Sequence, residues 1–83
     1  MMTYGVVFER IREAGSPDES YYAHIPALGL TTHGHGIEGA RAAALDLLTA
    51  WISAKREAGE EIAAPSEILF STLEIPQDAL QSA

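Results

Sequence analysis

A chain of 83 residues has room for one domain with one thin two-layer core, because a domain of that size buries only about 60 to 65 per cent of the surface its unfolded form exposes. Having no cysteine, it excludes disulfides, thiolate metal ligands and thiol nucleophiles together; with 5 basic against 12 acidic residues, a net charge of -7 and the deficit spread along the chain, it lacks the basic stripe that direct nucleic-acid binding requires. No apolar run approaches the roughly 20 residues of a membrane span, and Met1-Met2-Thr3-Tyr4 lacks the basic and apolar regions of a signal peptide, so a cytoplasmic protein is expected.

The first periodic segment is TYGVVFERIRE, with Tyr4, Val6, Phe8 and Arg10 on one face and Gly5, Val7, Glu9 and Ile11 on the other. Alternation of aromatic and branched residues reads as a strand. AGSPDES then supplies turn chemistry in Gly15, Ser16, Pro17 and Asp18, which joins two antiparallel strands. YYAHIP, from Tyr21 to Pro26, is the second strand, closed by a proline that has no N–H for a central ladder. Gly29 marks a tight turn or bulge, followed by a short third strand near Leu30 to Thr32.

From Ile37 to about Ala58 the period changes from two to between three and four. Ile37, Ala40, Ala44, Leu47, Leu48, Trp51, Ile52 and Ala58 form an apolar stripe, with Arg41, Asp46, Lys55 and Glu57 mostly opposite. This spacing predicts an amphipathic helix of five or six turns, with Gly59 as its stop and Trp51 packed in the core. EILFSTLEIP is expected as a fourth strand ended by Pro76, and residues 77–83 as a polar tail with some helical propensity. The expected architecture is therefore α+β: a two-layer β-β-β-α-β domain over residues 1–76, one helix on a four-stranded sheet. The last strand would enter by a right-handed crossover, parallel to its neighbour. A single helix covers one sheet face. The other face or an edge is where a second chain should sit, lined by Tyr4, Tyr21, Tyr22 and Phe70.

The order of these elements carries a resemblance. Tyr22, Pro26, Gly29, Thr32 with Gly34, Glu38 with Ala40, and Pro65 with Ser66 look like the tyrosine strand, proline, glycine turn, Thr-x-Gly step, helix start and late Pro-Ser of the HicB-like antitoxin family. The resemblance covers roughly residues 4–76. It implies a degraded ribonuclease-H-like fold without nuclease activity, and a protein that masks a small basic HicA-like ribonuclease toxin. From the uncovered sheet a homo-oligomer, dimer or tetramer, is expected, with Tyr21, Tyr22, His24 and Phe70 as the residues that contact partners. Two features depart from the family pattern. No ribbon-helix-helix or helix-turn-helix domain follows LEIPQDALQSA, so DNA binding by this chain is not expected; and His35 and Gly36 stand where an acidic residue and a hydroxyl residue are usual.

The same residues bear on other chemistries. His33 and His35 face the same side if their segment stays extended, and His24 would have to join them across the meander before three imidazoles could hold zinc or nickel. GHGIEG shares only its glycine content with a dinucleotide fingerprint, because antiparallel elements precede it. Glu9, Glu38, Asp46, Glu67 and Glu74 are the carboxylates that a metal-dependent nuclease would need to cluster, and the strand pattern does not cluster them. Neither a catalytic residue nor a cofactor or metal is assigned. The alternative function is an orphan self-assembling module without a toxin, binding a small ligand or another partner.

Overall fold

A computed structural model describes residues 2–12, 19–62, 65 and 68–81. Its elements are β1 (Val7–Arg10), β2 (Ser20–Ile25), a 3-10 turn (Pro26–Leu28), β3 (Leu30–His35), α1 (Gly36–Glu57) and α2 (Gln77–Gln81). The strands form an antiparallel meander in the order β1-β2-β3. The architecture is therefore α+β, a three-stranded sheet with one long helix across it. The turn expected at Gly15 to Asp18 lies outside the described residues.

Local chemistry accounts for the connections. Pro26 has no amide hydrogen and opens the 3-10 turn, which closes when the Gly29 N–H donates to the Pro26 carbonyl at 3.3 Å. The chain then reverses directly into β3. At the end of β3 the Gly36 N–H donates to the Glu19 carbonyl at 2.6 Å, and Gly36 takes φ 68, a conformation that costs a side-chain-bearing residue about 1–2 kcal/mol. Strand and helix therefore meet at a sharp corner. At the far end the Glu60 N–H donates to the Lys55 carbonyl and the Gly59 N–H to the Arg56 carbonyl, at 3.0 and 3.1 Å, which is a Schellman closure with Gly59 in the left-handed region.

Pairing fixes the faces of the sheet. Phe8 sits opposite Ala23 and Arg10 opposite Tyr21, while Ala23 faces Thr32, Tyr21 faces Gly34 and Ile25 faces Leu30. These residues point toward α1. Ala23, Ile25, Ala40 and Ala44 are the buried core, with Tyr4, Phe8, Tyr21, Leu28, Leu30 and Leu48 packed around it. Small residues dominate because helix and sheet approach closely: a Cβ on Gly34 would stand 2.5 Å from the Ala40 nitrogen and overlap the Gly39 backbone. At about 1.5 Å per residue, α1 is some 33 Å long, so its second half runs past the centre of this core.

Four expectations change on this description. The third strand runs to His35 rather than Thr32, because Gly34 lets the extended backbone lie flat against the first turn of the helix. The fourth strand is not seen among the described residues, where Ile68–Pro76 belongs to no strand and the sheet has three. Branched and aromatic residues supply propensity, but a strand also requires backbone pairing. Trp51 is half-buried at the exposed end of α1 rather than in the core, with the Lys55 ammonium 5.4 Å from its ring centroid. Tyr21 packs against the helix side of the sheet, which takes it off the open face where it was expected. The tail's helical propensity is realised in α2.

Candidate binding face

The side of the sheet away from α1 carries Tyr22, the three histidines and Glu9. The alternation that buries Tyr21, Ala23 and Ile25 turns Ser20, Tyr22 and His24 outward, and cross-strand pairing adds Val7 and Glu9 from β1 and Thr31, His33 and His35 from β3. Two rows result: Glu9, Tyr22 and His33 form one, and Val7, His24 and Thr31 the other. Because β3 stays extended through His35, the condition for His33 and His35 to share a side is met, and His24 stands on that side as well.

His24 is held from both neighbouring strands. Its Nε2–H donates to Glu9 Oε1 at 3.0 Å, and its Nδ1 shares a hydrogen bond with the Thr31 hydroxyl at 2.9 Å. The ring also lies 5.8 Å from Tyr22, tilted by 35°. These contacts fix one rotamer of an imidazole that is still one-third exposed. Both ring nitrogens already have protein partners, which leaves the imidazole as a contact surface beside the Tyr22 ring. Tyr22 itself is exposed.

Of the residues expected to contact a partner, the sheet therefore brings Tyr22 and His24 together, turns Tyr21 to the other side, and leaves Phe70 on the segment that follows the helix. Glu9 and Thr31 belong to the face as well; their role was hidden in the sequence, since only the β1-β2 and β2-β3 registers bring them to His24. Among the described residues, no group of three or more His, Asp or Glu side chains is placed to share a metal ion. Glu38 and Asp46 are exposed on α1, Glu74 is exposed near the chain end, and Glu67 lies outside the described residues. The carboxylates thus stand on different elements.

The charge is distributed unevenly. On α1, Glu38, Asp46 and Glu57 are matched by Arg41, Lys55 and Arg56. The open face carries Glu9 as its one carboxylate among the described residues. The surplus negative charge in those residues lies instead at Glu19, Glu60, Glu61, Glu74 and Asp78, outside the sheet and α1. The face is therefore not an acidic patch, although the molecule around it is acidic. No helix among the described residues is long and apolar enough to cross a membrane. No family model matches the sequence, and neither a curated protein nor a solved structure shows significant similarity to it.

Proposed function

We propose that this chain is a non-enzymatic, HicB-like binding protein that docks on a small basic HicA-like ribonuclease toxin and masks it. The observation that carries the reading is the uncovered sheet face, where Tyr22 and the doubly held His24 present a fixed aromatic surface. Aromatic side chains of this kind are enriched where partners are bound, because they supply contact area at low entropic cost. The net charge of -7 acts over longer range, steering a basic partner toward the molecule. Docking would cover the toxin's RNA-binding face and bury its catalytic residue. The meander followed by a long helix agrees with the element order that the resemblance implies. A complete four-stranded, ribonuclease-H-like sheet would take its last strand from Ile68–Pro76, which is rich in the branched and aromatic residues that strands favour.

The reading is tested by co-expressing the chain with the product of an adjacent gene, where that gene encodes a small basic protein. A stable complex and relief of that protein's toxicity support it; no complex and no rescue of growth would sink it.

A second reading has its own observation. Leu69, Phe70, Leu73 and Ile75 are all exposed, on one short segment. That favours a self-assembling module that works without a toxin.

A further inference from the structure

After Ile68 the chain leaves the folded body as an apolar arm. Ile68 packs beside Gly5 at the entrance to β1, where a Cβ on Gly5 would lie 3.1 Å from the isoleucine Cγ1. Beyond it, Leu69 is 85% exposed, Phe70 77%, Leu73 91% and Ile75 63%. The molecule is 52 Å long with a radius of gyration of 16.5 Å, against about 12 Å for a compact domain of this length. Four large apolar side chains so placed leave on the order of 500 Å² of apolar surface uncovered, near the upper limit for a soluble monomer. Side chains so exposed suit burial against an external surface.

The same chain offers that surface. β1 pairs with β2 on one side, and on its other side no strand is present among the described residues. Its unpaired backbone groups form a template for one more strand. Charge agrees: residues 7–12 carry Arg10 and Arg12 against Glu9, while residues 68–79 carry Glu74 and Asp78 and no basic group. An arm leaving from the mouth of β1 also leaves its own β1 edge vacant for the arm of another molecule. Two copies related by a twofold axis would fill both edges at once. Both arms together with the surfaces they cover would bury on the order of 2,000 Å², within the range of a stable interface.

We propose that residues 68–76 form an exchanged arm that adds as a strand to the free β1 edge of a second copy of this chain, giving a reciprocal dimer. The exchange deepens the self-assembling reading and rests on it; toxin binding through the opposite, Tyr22-bearing surface is separate. The arm supplies the sheet's fourth strand in trans. Its apolar residues on one side of the strand would extend the cover over Phe8 and Tyr4.

The test is light scattering on the full chain beside Phe70→Asp and Leu73→Asp. Both positions are exposed, so circular dichroism should show an unchanged fold. A dimeric parent and variants whose dissociation constant rises at least tenfold are expected. A monomeric parent would overturn both self-assembly and exchange. A dimer that both variants leave intact would overturn the exchange alone. Isotope-filtered NMR on mixed labelled and unlabelled protein gives a second readout: cross-peaks between molecules from Leu69, Leu73 or Ile75 to Val7–Arg10 are expected. Cross-peaks confined within one molecule would mean that the arm folds onto its own edge, which contradicts exchange.

Discussion

Gly34 lies directly beneath Gly39, so close that a methyl group on Gly34 would overlap the Gly39 carbonyl and stand 2.5 Å from the Ala40 nitrogen. The relationship is one-sided. A methyl group on Gly39 would meet nothing nearer than 3.6 Å, an ordinary van der Waals contact. Gly34→Ala should therefore destabilise the protein by about 3 kcal/mol or prevent folding, because the obstacle is rigid backbone. Gly39→Ala should be neutral or stabilise by up to about 1 kcal/mol through helix propensity. Urea denaturation of the two variants checks this; equal effects would show that strand and helix are not in close contact.

The small core makes a second prediction. Ile25 is the one large residue among the four buried ones in the described part of the chain, so Ile25→Ala should cost about 2–5 kcal/mol, enough to unfold a domain of this size in part. His33→Ala and His35→Ala remove exposed side chains from the open face and should change stability by no more than about 0.5 kcal/mol. A large loss for either histidine, measured by thermal denaturation, would point to a bound metal ion.

Gly59→Ala isolates the helix end. No atom lies within 4 Å of the added methyl group, so the cost is that of the left-handed backbone alone, about 1 kcal/mol. Glu60→Gln, by contrast, removes a 2.9 Å ion pair to Lys55 between partly exposed groups and should cost less than about 0.5 kcal/mol. Denaturant midpoints of the two variants distinguish the contributions; a larger effect at Glu60 would contradict the assignment.

The helix was legible because Ala40, Ala44, Leu47, Leu48 and Ile52 repeat at its period, and its stop at Gly59 was legible from turn chemistry. The meander was legible for the same local reasons. What sequence periodicity leaves out is pairing. Ile68 to Ile75 is as rich in branched and aromatic residues as β1, yet β1 has β2 beside it and, among the described residues, the later segment pairs with no strand. Tyr21 and Tyr22 are alike in sequence, whereas the pleat sends consecutive residues to opposite faces. The Glu9-His24-Thr31 arrangement joins residues up to 22 positions apart, and it depends on two registers that no local pattern states.

Within the open face, Glu9→Gln keeps a hydrogen-bond acceptor for His24 but weakens it, while Glu9→Ala frees the ring on one side. Neither substitution should alter stability by more than about 1 kcal/mol, since both partners are partly exposed. Both should broaden the His24 ring signals in NMR spectra, with the alanine variant broader. Unchanged ring signals would show that Glu9 does not hold the imidazole.

Binding of a basic protein partner to the proposed Tyr22 and His24 face is tested by titration calorimetry of the purified chain against a small basic HicA-like protein, repeated with Tyr22→Ala. A saturable complex is predicted, with Tyr22→Ala weakening it at least tenfold, equivalent to about 1.4 kcal/mol. No binding, or binding that Tyr22→Ala leaves unchanged, would contradict the account.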